Sequence, residues 1–197
     1  MNEHKSIAVV GSRKISAVGA KLAYNAGSII GKNGFNLVNG IALGCDAEAL
    51  KGALAAGGKC AVVLPCGINE IYPKSNQWIA EEVLKQGGCL ISEYPEGTRP
   101  EKYRFVQRDR LQSGMSQGVL VVEAMEKSGT MHTAEYAKKQ NRRLACYYHG
   151  LLKYSTGNNV LENLYQAAVI KTNEDLENYL CEIADIEEYT QLSFDFV

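Results

Sequence analysis

A basic segment with aromatic side chains, followed by a small-residue turn, carries the clearest chemistry in this sequence. Residues 99–110 hold five Lys or Arg side chains against two acidic ones, with Tyr103 and Phe105 among them. An apolar run at 119–122 follows and leads to the turn Ser128-Gly129-Thr130. Cations bind phosphates, aromatic rings stack on bases, and a helix N-terminus favours anions. The segment therefore indicates a site for a nucleic-acid backbone or a nucleotide, although a charge run can also be a solvated face.

A second turn with anion-binding chemistry closes the first apolar run, in the order Gly11-Ser12-Arg13. Glycine lets a ligand approach the backbone, and the following helix dipole together with Arg13 favours a negative charge. The turn is not the G-x-G-x-x-G fingerprint of dinucleotide sites, because Gly19 lies too far along the chain. A tight turn with a solvated Arg-Lys pair is the alternative interpretation.

Two further turns are expected beside these. The segment 39–46 contains Gly40, which could approach a ligand, and Asp46, which we expect to be a helix N-cap. The segment 66–73 could place Tyr72 in the wall of a pocket. We expect Arg108 or Arg110 to pair with Glu123 or Glu93, and His132 to lie on a helix surface.

The positions of these turns follow from a regular alternation of short apolar runs and amphipathic stretches. Predicted strands cover 6–11, 35–39, 59–64, 89–92, 119–122, 143–148 and 168–170. Predicted helices cover 17–31, 47–56, 76–86, 105–115, 130–139, 158–166 and 173–183. Uniformly apolar strands that alternate with helices predict an α/β fold, a single doubly wound domain with a mostly parallel, Rossmann-like sheet. The turns named above then lie at the carboxyl edge of that sheet, where such folds bind ligands.

Glycines also lie just before three of the predicted strands, where the preceding helices end. Gly34, Gly58 and Gly88 each follow a predicted helix, and we expect them to end those helices. We divide the chain into a core at 1–172 and a C-terminal helix with a mobile tail at 173–197.

Composition bounds the function. Among 197 residues 46% are hydrophobic and 22% are charged, and the net charge of −1 provides no overall basic field. Six cysteines are scattered without a C-x-x-C pair, so we expect free thiols, no metal site and no cofactor. No Ser/His/Asp set or carboxylate pair stands out, which argues against an enzyme. We expect a cytoplasmic protein without a leader or membrane span.

Four ordered blocks of this sequence resemble the DNA-processing A family (DprA, also called Smf). They are Gly11-Ser12-Arg13, the block NGIALGCDAEALKGAL, the block PCGINEIYPKSN and the long segment SEYPEGTRPEKYRFVQRDRLQSGMSQGVLVVEAMEKSGTMHTA. The resemblance spans residues 8 to about 168 and covers the Rossmann-like core of the family. We expect neither the N-terminal helical domain nor the C-terminal winged-helix domain that many members carry.

The resemblance implies a function and assigns residues to it. Members of the family bind single-stranded DNA, dimerise and load the RecA recombinase during natural transformation. By this resemblance Arg13 grips a phosphate, Lys102 and Phe105 supply the basic and stacking residues of the DNA pocket, and Arg108 and Arg110 support them. Gly129 and Thr130 complete the phosphate-binding edge. We therefore expect single-stranded DNA, a RecA-type recombinase and a second copy of the chain as partners.

The sequence departs from the family pattern at three positions. Asn39 replaces a serine, Leu50 replaces a histidine, and the family's Arg-Asn-Arg becomes Arg108-Asp109-Arg110. The last change introduces a negative charge where the family has a neutral amide.

Two other functions remain open. Nucleotide phosphoribohydrolases of the "lonely guy" type need a glutamate where this chain has Thr133, and Glu135 comes two residues too late. A nucleotide sensor of the same superfamily is the second alternative. The tail is also similar to peptides that dock on bacterial sliding clamps, through the residues Gln191, Leu192, Phe194 and Phe196.

Overall fold

A computed structural model describes residues 5–185 of the chain. Within them the strands are β1 (Ser6–Val10), β2 (Asn36–Asn39), β3 (Cys60–Val63), β4 (Cys89–Ile91), β5 (Gly118–Val121), β6 (Arg143–Tyr147) and β7 (Ala168–Ile170). The helices are α1 (Ala17–Lys32), α2 (Cys45–Ala55), α3 (Gln77–Lys85), α4 (Lys102–Gly114), α5 (Thr130–Lys139), α6 (Thr156–Tyr165) and α7 (Asn173–Ala184). The predicted alternation of strands and helices is confirmed. None of these helices is long and apolar enough to cross a membrane.

All seven strands of the described chain join one parallel sheet in the order β4-β3-β2-β1-β5-β6-β7. Ala8 of the central strand β1 pairs with Val38 on one side and with Val119 on the other. The strand order runs outward from β1 to β4 and then returns to place β5 beside β1. This reversal makes the gap between the ends of β1 and β5 the switch point where doubly wound sheets bind ligands.

Helices cover both faces of the sheet, which explains the uniformly apolar strands. In β1, Ile7 and Val9 face a cluster with α1, α2, α3 and α7, whereas Ala8 and Val10 face a cluster with α5 and α6. Each of these β1 side chains is at most 4% exposed. Burial of a Val or Ile side chain contributes about 1.5–3 kcal/mol, so both faces of β1 hold the layers together.

Helices α1 and α2 pack with their backbones in close approach. A Cβ atom on Gly27 would overlap the Ala49 carbonyl, and one on Gly52 would overlap the Tyr24 carbonyl. This packing draws together the turns that precede the two helices. A Cβ on Gly11 would lie 2.6 Å from the Cys45 sulfur at the same place.

The final helix α7 packs into the main core. Leu176, Leu180 and Ile183 are at most 1% exposed, and the Tyr179 hydroxyl donates to the Arg143 carbonyl at 2.9 Å. The division of the chain after residue 172 stays a prediction. The clamp-docking motif lies outside the described residues.

Two of the three predicted helix-ending glycines are shifted by one position. Gly34 has a φ of 75° as expected, but the glycines with positive φ after α2 and α3 are Gly57 and Gly87 rather than Gly58 and Gly88. Gly88 instead packs against the Cys60 carbonyl, where a Cβ would overlap. The structure thus uses the first glycine of each pair to end the helix and the second for close packing.

Candidate functional site

A cavity of about 920 Å³ opens at the switch point between β1 and β5. The turns after these two strands, helix α4 and the rings of Tyr72 and Tyr154 line it. Nine of the eleven phosphate-binding or DNA-binding residues predicted from the sequence lie in its lining: Gly11, Ser12, Arg13, Lys102, Phe105, Arg108, Ser128, Gly129 and Thr130. Gly40 lines a smaller adjoining recess, and Arg110 lines neither.

The turn after β1 is held rigidly by its own hydrogen bonds. The Ser12 amide donates to the Glu123 carbonyl at 2.7 Å, and the Ser12 hydroxyl accepts from the Lys14 amide at 3.1 Å. Ser16 caps α1 by accepting from the Gly19 amide at 3.0 Å. Ser12 therefore shapes a tight turn, as the alternative interpretation expected, and the same turn places Arg13 in the cavity.

Arg13 and Phe105 meet across the cavity. The Arg13 guanidinium carbon lies 4.9 Å from the centroid of the Phe105 ring, and Tyr72 contacts that ring edge-on at 5.7 Å between centroids. Tyr72 is thus in the pocket wall, as predicted. The cation and the aromatic face are presented at one point.

Helix α4 begins three residues earlier than predicted, at Lys102. Lys102 therefore belongs to the first turn of the same helix as Phe105, rather than to the segment before it. Pro100 and Glu101 precede the helix with Glu101 in the extended N-cap conformation. Helical geometry fixes the spacing between the cation and the ring.

Arg108 is a buried cation beneath the cavity. It is 4% exposed, and its Nη1 donates to the Val63 carbonyl at 2.7 Å. Burial lowers the pKa of its guanidinium, while Asp109 and Asp46 oppose that shift. A Cβ on Gly40 would overlap the guanidinium, so this glycine makes room for Arg108.

The N-cap prediction for Asp46 is wrong. Gly44, with a φ of 75°, occupies the N-cap of α2, and Asp46 lies within its first turn. The Asp46 carboxylate instead accepts the amides of Gly40 at 3.0 Å and Ala42 at 3.2 Å. Burial raises the pKa of Asp46, and the nearby Arg108 acts in the opposite direction.

Arg110 lies outside the cavity and is paired. Its Nη2 lies 2.6 and 2.7 Å from the two carboxylate oxygens of Glu93, with both side chains partly exposed. Of the two expected partners, Glu93 is therefore correct and Glu123 is not. A phosphate contact by Arg110 stays a prediction.

Glu123 organises the cavity from a fully buried position. Its carboxylate accepts the amide of Ser16 at 2.7 Å and that of Tyr154 at 3.0 Å. Two loops far apart in sequence are thus tied to the end of β5. The sequence did not predict this role of Glu123, nor did it predict that Tyr154 lines the cavity. The one relevant feature of the sequence was that an acidic residue follows the apolar run 119–122.

The turn before α5 leaves the start of that helix open to the cavity. The Ser128 hydroxyl donates to the Met125 carbonyl at 2.7 Å, and Gly129 has no atoms within 4 Å of where a Cβ would stand. The amides of Met131 and His132 donate to the Ser128 and Gly129 carbonyls, each at 3.1 Å, and the positive end of the helix dipole still favours an anion here. The open space at Gly129 leaves room for such an anion.

Asp109 and His132 add titratable groups to the cavity lining. Burial raises the pKa of Asp109 to about 6, against the opposing charge of Arg108. His132 is a half-buried residue of α5, and the part of the helix surface on which it lies faces the cavity. Thr133 lines the cavity as well, whereas Glu135 is exposed and does not.

Within the described chain no three His, Cys, Asp or Glu side chains are placed to hold a metal ion. All six cysteines are free. Cys45, Cys60, Cys66 and Cys146 are buried, Cys89 is half-buried and Cys181 is exposed. Burial raises the pKa of Cys60 and of Cys146 to about 12, which makes both thiols poor nucleophiles.

These features define a doubly wound α/β protein with a cavity at its switch point that is lined by cationic side chains. The chain belongs to the DNA recombination-mediator protein A family, whose model matches residues 1–180. It is 40% identical to Protein Smf of Escherichia coli over 138 residues, which are 70% of this chain and 37% of that protein. The chain spans about a third to a half of the length of the curated relatives it matches.

Two solved structures are similar to this fold. DNA processing protein A from Helicobacter pylori has a TM-score of 0.82 and 30% identity, covering 90% of this chain and 80% of that one. The same protein from Streptococcus pneumoniae has a TM-score of 0.80 and 30% identity, covering 95% and 63%. The H. pylori protein has a single-stranded DNA binding mode.

Proposed function

We propose that the chain binds single-stranded DNA in the cavity and acts as a recombination mediator during DNA uptake. Membership of the DNA recombination-mediator protein A family supports this proposal, as does the similarity to a protein that binds single-stranded DNA. In this proposal the protein works in the cytoplasm as a non-catalytic homodimer and passes the bound strand to a RecA-type recombinase.

The observation that carries the proposal is the Arg13 guanidinium above the Phe105 ring, 4.9 Å from its centroid. A strand that enters the cavity meets a cation for its phosphate and an aromatic face for its base at the same point. Lys102 and the open start of α5 line the same cavity and add further phosphate-binding groups.

The aromatic face also favours a single strand over a duplex. A base can stack on Phe105 only when it has left its own neighbours, and a duplex resists that separation. Because the net charge of the chain is −1, the affinity must come from this local set of cations.

Fluorescence anisotropy of a labelled oligothymidine, titrated with the protein across a salt series, tests the proposal. We expect binding that weakens steeply with salt, because phosphate neutralisation releases counterions. An unlabelled single strand should displace the probe, and a duplex of the same length should not. Equal competition by the duplex, or absence of binding at low salt, would contradict the proposal.

A mononucleotide is the second candidate ligand. The cavity volume of about 920 Å³ falls within the range of small-molecule sites, about 300–1,000 Å³. Titration with nucleoside monophosphates in a calorimeter distinguishes the two ligands. Hydrolysis of such a nucleotide is disfavoured because Thr133 lines the cavity where the related hydrolases need a glutamate.

Partner binding needs separate tests. Recombinase loading predicts that the chain speeds filament assembly on a strand already coated with single-strand-binding protein. Clamp docking predicts that Leu192→Ala with Phe194→Ala abolishes retention on an immobilised clamp. The dimer predicts twice the chain mass in light scattering.

A further inference from the structure

One face of α4 lines the cavity from its mouth to its most buried part. Lys102, Phe105, Asp109 and Gln112 lie three or four residues apart, the spacing of one helical face, and all four line the cavity. Burial increases along this face. Lys102 is exposed and Phe105 half-buried, whereas Asp109 is 8% and Gln112 2% exposed. Phe105 and Gln112 are separated by about 10 Å along the helix axis, enough for a base between them.

The buried end of this face consists of hydrogen-bond acceptors. Gln112 Nε2 donates to Asp109 Oδ1 at 2.9 Å, which fixes the orientation of the amide. Gln112 Oε1 is buried and has no hydrogen-bond partner among the described residues. A buried acceptor without a partner is rare in proteins and suggests that a ligand completes it.

Asp109 supplies a second acceptor. Its Oδ1 also lies 3.3 Å from Arg108 Nε as an ion pair, and its Oδ2 makes no hydrogen bond within residues 5–185. An ionised carboxylate accepts hydrogen bonds and donates none. Asp109 and Gln112 therefore offer neighbouring acceptors to a group that brings N–H donors, and the Arg108 Nε beside them is a buried donor that also has no hydrogen-bond partner among the described residues.

We infer that Asp109 and Gln112 make the cavity selective for a base with N–H donors on its pairing edge, guanine being bound most tightly and thymine most weakly. Guanine presents an N–H and an amino group side by side. Thymine presents one N–H between two carbonyl oxygens. These oxygens are themselves acceptors, so they repel the acceptors of Asp109 and Gln112. This inference rests on the proposed binding of a strand or nucleotide in the cavity.

Contacts to phosphates alone carry no such selectivity. Arg13 and Lys102 bind any backbone, and Phe105 stacks on any base. A site with buried acceptors, in contrast, rejects a ligand that leaves them without donors. Selectivity should therefore depend on Asp109 and Gln112 and not on the cations at the mouth.

The test compares a labelled oligothymidine with the same oligonucleotide in which isolated thymines are replaced by guanine, adenine or cytosine. At pH 7.5 we expect the guanine-containing strand to bind about five- to tenfold more tightly than oligothymidine. Asp109→Asn, which adds an N–H₂ donor, should reduce this preference to less than about twofold. Gln112→Leu should reduce it as well while oligothymidine still binds.

Matched control variants separate base recognition from general damage. Gln107→Leu, on an exposed position of α4, is the control for Gln112→Leu. Asp185→Asn, on an exposed position after α7, is the control for Asp109→Asn. Both should keep the full guanine preference. Thermal melting verifies that each variant folds, and Gln112→Met replaces Gln112→Leu if that variant does not.

The experiment distinguishes a failure of base selectivity from a failure of strand binding itself. Equal affinity of the unchanged protein for all four strands would overturn the base selectivity and leave strand binding intact. If no strand binds, strand binding fails and calorimetry with dGMP and dTMP decides the selectivity. Tighter binding of dGMP would support it, and equal or absent binding of both would overturn it.

Discussion

The Arg108 guanidinium occupies the position where a Cβ atom on residue 40 would stand, so only glycine fits at Gly40. The same guanidinium donates to the Val63 carbonyl at the end of β3 and lies beside Asp109, so it ties the middle of α4 to the sheet beneath the cavity. Arg108 therefore stabilises the fold, in addition to any electrostatic effect that it has on a ligand.

Gly40→Ala should lower the free energy of unfolding by about 1–3 kcal/mol, because the added methyl group forces Arg108 out of its site. Chemical denaturation measures this loss. Gly129→Ala is the matched control, since no atom lies within 4 Å of its added Cβ. A Gly40→Ala variant as stable as the control would show that Arg108 moves without cost.

Arg13→Ala should weaken oligonucleotide binding similarly for all sequences and reduce the salt slope by about one unit. The reason is the loss of one phosphate contact at the turn after β1. Anisotropy titrations across the salt series measure both quantities. Lys85→Ala, on an exposed position of α3, should leave both unchanged. A base-dependent loss in Arg13→Ala would contradict the backbone role.

Phe105→Ala should cost about 1–3 kcal/mol of binding free energy and leave the salt slope nearly unchanged, because stacking involves no counterion release. Phe105→Trp keeps an aromatic face and should retain most of the affinity. The same titrations separate these results. Unaltered affinity in the alanine variant would remove stacking from the mechanism.

Oligothymidine binding should strengthen as the pH falls from about 7.5 to about 5. Burial raises the pKa of Asp109 to about 6, so this carboxylate loses its charge in that interval and no longer repels a phosphate. Arg108, Asp46, His132 and Arg13 surround the carboxylate. Asp109→Asn should flatten this pH dependence, whereas Asp185→Asn, on an exposed position after α7, should keep it.

The same pKa shift has a consequence for stability. The folded pKa of Asp109 is above the usual value of 3.8, so the folded state holds the proton more tightly than the unfolded state. The free energy of unfolding should therefore decrease as the pH rises from about 4 to about 6. Denaturation curves of the unchanged protein and of Asp109→Asn should converge at the acidic end of this interval.

Glu123→Gln should destabilise the fold by about 1–3 kcal/mol. The two carboxylate oxygens accept the amides of Ser16 and Tyr154, and a glutamine can offer only one acceptor and must turn an N–H₂ group towards the other amide. Glu126→Gln, three residues later and exposed, is the control. Equal melting temperatures for the two variants would exclude an organising role for Glu123.

Sequence patterns were sufficient for the sheet because both faces of the strands are buried. Runs such as 6–11 are apolar throughout, and the residues of β1 alternate between two cores without any polar interruption. The turn residues at Gly11 and Gly129 could be placed at one edge for the same reason. Parallel strands bring the turns at their carboxyl ends together.

The parts that were missed depend on contacts between distant residues. Glu123 and Tyr154 are joined by a hydrogen bond between residues 31 positions apart. Asp46 is not an N-cap because its carboxylate accepts backbone amides of the preceding loop instead. Gln112 gave no local signal, because a polar residue within a helix is usually exposed. Its burial follows from the packing of α4 over the sheet.

The bond from the Ser16 amide to Glu123 spans 107 positions of the chain. During synthesis the turn after β1 leaves the ribosome long before its counterpart after β5 has been made. Residues as late as Tyr154 line the cavity, so a nascent chain lacks part of the cavity wall until that loop has been made. An incomplete polypeptide is therefore unable to form the cavity, and the ligand becomes available only to a finished sheet.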